Sequence, residues 1–310
     1  MRIAYLISAY KDPTHLRRLI SALSHCVEDS VSFFIHIDAK VDIRPFIDKC
    51  KGKNVYFTDT RYWVQWGGYS QVMYQIELLR SSLNHKCCFD RFVLITGQDY
   101  PLVSNETMMK AYKELPNKQY LKGLDKTLYH RKSHHEFTLY HFFRDTTFRN
   151  KKVKQLFTFS FRLLFLILPI RKKPYVIYNN QKWHIWQSSS YMSLTRDCAK
   201  YVLSEMQNNR ILIRYFKYSF VPEEKMIPTI IFNSKYKEYA MVSEFREYKG
   251  LINLSALEEF CYGKEIKVYQ EEDYDHLITS NKFFCRKVET GKSDKLMELL
   301  DKHNGIIIKK

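Results

Sequence analysis

Arg2-Ile3-Ala4-Tyr5-Leu6-Ile7-Ser8-Ala9 stands at the head of the sequence, and Asp12-Pro13 follows shortly after. The apolar run is too short for a signal peptide, and charge follows it where a cleavage site would stand. It reads as a first core strand over 2–9. Asp12 suits the N-cap of a helix, and Pro13 suits its first turn, where a missing N–H costs nothing. Leu16, Leu19, Ile20 and Leu23 then recur at helical spacing and predict a buried stripe. Residues 31–37, rich in Val, Phe and Ile, predict a second strand ending in His36-Ile37-Asp38. Strand, helix and strand at this spacing predict a βαβ unit, and with it an α/β fold on a mainly parallel sheet.

Val55-Tyr56-Phe57 continues as a third strand. The loop from Arg61 to Ser70 carries Trp63, Trp66 and the pair Gly67-Gly68. Two large aromatics beside paired glycines fit a sugar platform, or equally a wedge that fastens the loop to the core. Ser70 is placed to cap a helix running to about Ser82. Residues 91–96 predict a central strand that runs into Gly97-Gln98-Asp99-Tyr100-Pro101. Open α/β sheets bind ligands beyond the carboxyl ends of their strands. Asp99 is therefore a site candidate, or else the cap of the next turn, before a helix around 104–114.

His130, His134, His135, Glu136 and His141 invite a metal reading. They form no HExxH and alternate with basic residues, as a solvated face does. Residues 141–175 carry nine basic residues against one acid, Asp145. Within them lies the apolar run 156–170, short of the ~20 residues that span a bilayer. It fits an interfacial helix with basic flanks, or a buried or dimer-forming helix with a basic outer side. Later segments predict a helix around 197–206, a short helix near 255–260, a strand at 265–269 and a last helix over about 293–302.

Tyr218-Ser219-Phe220-Val221-Pro222-Glu223-Glu224 sets two acids behind a stiff turn, because Pro222 fixes its own φ and restricts Val221. Early in the following helix a carboxylate meets unpaired N–H groups. Such a carboxylate can act as a general base or simply cap the helix.

The 310 residues suit one large α/β domain or two small ones. The net charge of +17 favours anionic partners: nucleic acid, anionic lipid or phosphorylated small molecules. Nothing resembles a helix-turn-helix, an RNA-recognition motif or a zinc finger, so no nucleic-acid partner is expected. Seven cysteines at irregular spacing, without CxxC, point to free thiols in a reducing compartment. A cytoplasmic protein lying against a membrane is expected.

Five blocks in order carry a resemblance: Phe34-Ile35-His36-Ile37-Asp38, Trp66-Gly67-Gly68-Tyr69-Ser70, Gly97-Gln98-Asp99-Tyr100-Pro101, Pro222-Glu223-Glu224 and Phe283-Phe284-Cys285-Arg286-Lys287. Together they resemble the core-2/I-branching β-1,6-N-acetylglucosaminyltransferase family, glycosyltransferase family fourteen, which includes peptide O-xylosyltransferases. The resemblance covers almost the whole chain. It implies a single GT-A-like catalytic domain over 1–310, with 141–175 as a basic and apolar insertion. It implies inverting transfer from a UDP-sugar, with N-acetylglucosamine and a β-1,6 linkage foremost, to a glycan or glycolipid acceptor.

In the family a Pro-Asp-Glu turn supplies the catalytic base, and its glutamate matches Glu224. The resemblance puts Lys287, Arg286, Asp38 and Asp99 at the nucleotide sugar and its diphosphate. It puts Trp66, Gly67, Gln98, Ser189, Tyr191 and Glu223 around the sugar or acceptor. A second basic position falls loosely near Lys264 or Lys267. No cofactor is implied: characterised animal members work without a metal, and the strand end at Asp38 offers one acid rather than DxD. Asp273-Tyr274-Asp275 fits DxD literally but reads as a helix start.

Many relatives carry Gly-Ser-Gln-Trp-Trp where this chain has Ser188-Ser189-Ser190-Tyr191-Met192. That loses a glycine and two tryptophans on the expected acceptor side, so acceptor and donor are open to change. The altered block also fits a carbohydrate-binding protein on a membrane surface that has lost catalysis. The cysteine usage is similar to a bacterial member working from the inner face of the plasma membrane.

Overall fold

The computed structural model describes residues 1–129, 137–147, 150–168, 170–244, 246, 248, 250–263 and 265–307. His130, His134, His135, Glu136 and Lys264, singled out in the sequence, lie outside these residues.

The central sheet contains β1 (Ile3–Ala9), β2 (Val31–Ile37), β3 (Val55–Phe57) and β4 (Arg91–Thr96), with β10 (Met192–Thr195) on its edge. Its order is β10-β4-β1-β2-β3. The pairs β1–β2, β1–β4 and β2–β3 are parallel, and β10 runs antiparallel to β4. The smaller sheets also combine both directions. β12 (Glu258–Glu259) lies parallel to β13 (Phe284–Arg286), which is antiparallel to β5 (Asp99–Pro101). β11 (Met241–Val242) is parallel to β6 (Lys122–Asp125), whose other neighbour β9 (Trp186–Gln187) is antiparallel. The hairpin of β7 (Tyr175–Tyr178) and β8 (Gln181–His184) turns on Asn179 and Asn180, both at positive φ, the conformation such two-residue turns demand. The fold is thus α/β with mixed sheets, which amends the expected mainly parallel arrangement.

Side chains alternate across a strand, so each central strand feeds two cores. Tyr5, Phe33 and Val93 face one, and Leu6, Phe34 and Leu94 face the other. The first core is closed by α1 (Pro13–Ser24), α2 (Arg44–Lys49), α4 (Asn105–Glu114), α10 (Tyr274–Ile278) and α11 (Asp294–His303). The second is closed by α3 (Ser70–Leu83), α7 (Arg196–Asn208), α8 (Arg210–Lys217) and α9 (Met226–Phe232). Asp12 caps α1 by accepting the His15 N–H at 2.9 Å. α5 (Lys126–Tyr129) is a single turn, and α6 (Lys151–Ile167) follows it.

Three local expectations change. Ser70 does not cap α3: its hydroxyl accepts from the Gln65 N–H, and Asp145 accepts the N–H groups of Tyr69 at 2.7 Å and Ser70 at 3.0 Å. Residues 255–260 contain the two-residue strand β12 rather than a helix, preceded by a 3₁₀ turn over Leu251–Leu254. Residues 265–269 are extended but not a strand. They meet the end of β13 through two hydrogen bonds, Tyr269 N–H to the Lys287 carbonyl and Lys287 N–H to the Lys267 carbonyl. Residues 156–167 of the apolar run lie in α6, and Leu156, Phe157, Phe159, Leu163, Leu164 and Ile167 are exposed, so it is not a core helix of this chain.

Candidate active site

A cleft of about 310 Å³ opens where β1, β2 and β4 end. Ala9 closes β1, His36 and Asp38 leave β2, and Thr96, Gly97 and Gln98 leave β4. Lys11, Lys40, Trp66, Tyr74, Tyr191 and Arg286 complete the wall. The strand ends meet closely: a Cβ on Gly97 would stand 2.7 Å from that of Ala9.

Asp38 organises one side. Its carboxylate accepts from the N–H groups of Lys40 at 2.9 Å and Val64 at 3.3 Å, which ties the tryptophan loop to the end of β2. The Lys40 ammonium stands 3.5 Å from it. His36 is stacked between the rings of Tyr62 and Tyr74, and its Nε2 accepts the Tyr62 N–H at 3.0 Å. Burial pushes its pKa down to about 4, so the imidazole is neutral with its proton on Nδ1. Gln98 accepts from the Tyr10 hydroxyl at 3.2 Å.

Trp66 is 70% exposed and stands edge-on to Phe220, at 5.3 Å between ring centres. Gly67 takes φ +71°, and a Cβ there would stand 2.8 Å from the Phe220 ring. The tryptophan loop therefore rests on the segment that leads into the two acids.

The opposite wall is cationic. The Arg286 guanidinium lies 4.5 Å from the Tyr191 ring centre, a cation–π stack that sets its direction. Lys287 lies beside it, with Nζ 3.6 Å from Glu289. Lys11 at 2.6 Å and Lys292 at 2.9 Å reach the same carboxylate. These lysines, led by hydrogen bonds from Lys11 and Lys292, hold Glu289 down to about 2. One carboxylate among three ammonium groups leaves this edge of the cleft positive. Lys11 was invisible to motif reading: its partner Glu289 is 278 residues away in sequence.

Asp99 does not line the cleft. It is fully buried and accepts from the Thr96 N–H at 2.6 Å and hydroxyl at 2.8 Å. It faces Arg286 across the β5–β13 ladder. Burial raises its pKa, and the Arg286 charge opposes that rise. Glu258, equally buried, stands near it, and burial and the Asp99 charge push its pKa well up. Asp99 thus stands behind the arginine as support. Glu258 was missed because its strand is only Glu258–Glu259, with no motif around it.

The two acids of the turn diverge. Val221 enters at φ 47°, a left-handed conformation strained for a β-branched residue, and its N–H donates to the Gly67 carbonyl at 3.3 Å. The Lys225 ammonium donates to the carbonyls of Phe220 at 2.8 Å and Val221 at 3.3 Å. Glu223 is 3% exposed, and burial with the neighbouring Glu224 charge pushes its pKa well up. Burial, and after it the nearby Glu223, raises the pKa of Tyr74, which lines the cleft. Glu224 is the more accessible of the two and accepts from Gln187 Nε2 at 3.0 Å. Burial raises its pKa, opposed by Lys225 and the Gln187 hydrogen bond. Ser189 is buried, and its hydroxyl accepts the Tyr191 N–H at 3.4 Å. Lys287, Gly67, Ser189, Glu223 and Glu224 are not among the residues lining the cleft. The cysteines are free thiols. His141 stacks on Phe220 at 5.3 Å. Asp273 takes the Lys267 ammonium at 2.5 Å and closes a capping box ahead of α10.

Fold and cleft together define an α/β protein with a cleft, cationic along one edge, at the carboxyl ends of its parallel strands. The chain belongs to the Core-2/I-Branching enzyme family, whose profile it matches over residues 3–248. It is similar to human xylosyltransferase 2, 23% identical over 327 aligned positions that cover 98% of this chain and 34% of the relative. The rat xylosyltransferase 2 is 22% identical over the same shares. The chain thus spans about a third of the length of the curated relatives it matches. Among solved structures it is similar to the galactosyltransferase LgtC with donor and acceptor sugar analogues. That match has TM-score 0.43 and 7% identity, and covers 100% of this chain and 98% of the other. It is also similar to S. aureus TarS 1–349, at TM-score 0.27 and 13% identity, over 40% and 35% of the two chains.

Proposed function

We propose that the chain is an inverting glycosyltransferase of GT-A-like architecture that moves a sugar from a UDP-sugar to a hydroxyl of a glycan or glycolipid. The observation that carries this reading is the cleft at three strand ends, with Asp38 on one wall and Arg286 on the other. Lys11 and Lys287 meet at Glu289 at its edge. N-acetylglucosamine in β-1,6 linkage is the first donor and product to test. Xylose is the second, since the similar curated proteins are xylosyltransferases.

As the acceptor oxygen attacks the anomeric carbon, the C–O bond to that carbon forms and the sugar–diphosphate bond breaks. The bonding pair leaves with UDP, and the acceptor proton passes to Glu224. Negative charge grows on the departing diphosphate, where Arg286, Lys287 and Lys11 can receive it. On this reading the cationic wall acts without a metal. The protein works in the cytoplasm, on the inner face of the plasma membrane, through about 151–173.

Thermal unfolding with a panel of nucleotide sugars tests the proposal. A ligand that binds only the folded chain raises its melting temperature. UDP-N-acetylglucosamine or UDP-xylose is expected to do so above UDP-glucose. No protection by any uridine nucleotide would overturn the reading.

A further inference from the structure

A groove of about 390 Å³ runs along one side of α6. Tyr140, Phe142 and Phe159 line it, with Arg144 and Trp66 at one end. Trp66 also lines the cleft, so the two spaces share that ring. α6 rests on Phe143 through Phe157 and Phe161, with ring centres 6.2 Å and 4.8 Å away. Leu156, Leu163 and Ile167 point away, exposed by 63%, 47% and 74%. Their spacing of seven and four residues makes one outward apolar stripe.

Among the described residues no helix is long and apolar enough to cross a membrane. The 17 residues of α6 measure about 25 Å, and an apolar stripe on such a helix suits lying in an interface rather than spanning it. Charge narrows the occupant further. Residues 141–175 hold nine basic residues and one acid. That acid, Asp145, is engaged at the N-terminus of α3 by the amides of Tyr69 and Ser70. Arg144 lines the groove and no acid does among the described residues, so the groove favours an anionic amphiphile over a neutral one.

We propose that the groove between α6 and Trp66 holds the hydrocarbon chain of an anionic lipid that bears the acceptor glycan, delivering its polar head to the cleft at Trp66. The inference rests on the reading of the cleft as the donor site and narrows the acceptor from any glycan to a lipid-borne one. The chain lies against Phe142 and Phe159, the headgroup charge meets Arg144, and the first sugars stack on Trp66.

The test uses the full chain and lysophosphatidylglycerol as probe, below its micellar concentration. The comparators are glycerophosphoglycerol, which lacks the acyl chain, and vesicles of phosphatidylcholine with phosphatidylglycerol. In a Trp63→Phe variant, Trp66 is the exposed indole, since Trp183 and Trp186 are buried. Saturable change in its emission is expected with the monomeric lysolipid, at least about tenfold weaker with the chain-free headgroup, because the buried methylenes carry the affinity. Phe159→Ser is expected to weaken lysolipid binding by a similar factor. Thermal protection by uridine diphosphate reports whether each variant is folded. A brominated acyl chain should quench Trp66 in the Trp63→Phe protein, which keeps the test decisive if Phe159→Ser fails to fold. Vesicle binding without monomer binding would mean a surface contact only and overturn the inference. So would protection by uridine diphosphate with no response to any lipid. Loss of nucleotide protection in the unaltered protein would instead fell the donor-site reading.

Discussion

Glu224 and Glu223 share a turn but have different surroundings, and that difference is testable one atom pair at a time. Glu224→Gln keeps the side chain's shape and removes its basicity. Transfer should fall about 100-fold or more while donor affinity stays near that of the unaltered chain. Glu223→Gln should be far milder, because burial and the neighbouring Glu224 raise the pKa of Glu223 and so favour its neutral form, which glutamine resembles. The reverse pattern would reassign the base. A base must be ionised to work, so with burial raising the Glu224 pKa, transfer should climb with pH through a value above that of an ordinary glutamate. Lys287→Ala should cost on the order of 3 kcal/mol in the transition state, read from kcat/KM. Lys172 makes a separate point. It is buried, donates to the Ser219 hydroxyl at 2.6 Å, and desolvation lowers its pKa to about 7. Between about pH 7 and 10.5 the unfolded chain holds this proton and the folded chain does not, so stability contributed here rises with pH. Lys172→Met should flatten that rise and stabilise the fold at neutral pH, as measured by urea midpoints at both ends of the window.

Among the elements, α6 sets the sharpest expectation. Its outward stripe and basic surroundings predict sedimentation with liposomes that grows with anionic lipid and falls with salt. Equal recovery in the pellet with and without liposomes would mean that another surface covers the stripe. The elements also show what a sequence carries and what it withholds. β1 and β2 were legible as near-continuous apolar runs of strand length, and α1 from apolar residues at helical spacing. The segment 265–269 alternates, yet its backbone bonds are divided between the turn at 261–263 and Lys287, and a strand needs one partner as well as a pattern. The N-terminus of α3 depends on Asp145, 75 residues beyond Ser70. Asp38 and Gln98 could be placed in the cleft because they follow strands directly. The stack of Arg286 on Tyr191 and the meeting of Lys11 with Glu289 join distant stretches, and no local spacing announces them.

For the whole molecule, the cationic wall implies that transfer persists in excess EDTA and gains little from manganese. Activity that returned only with added manganese would show that Arg286, Lys287 and Lys11 are not sufficient for the leaving diphosphate. The pairing of β13 with β5 has a further consequence for how the protein is made. The strand ends that shape the cleft come from residues 8–98, and Arg286 and the Glu289 cluster come nearly 200 residues later. A ribosome therefore releases the floor of the site and Lys11 long before Arg286 and Lys287. On the proposed reading, a nascent chain made only as far as residue 98 would offer donor Lys11 but neither Arg286 nor Lys287. Nucleotide binding would then report on chains made past residue 289, and a chain cut short before residue 284 should be blind to donor however much of the central sheet it has formed.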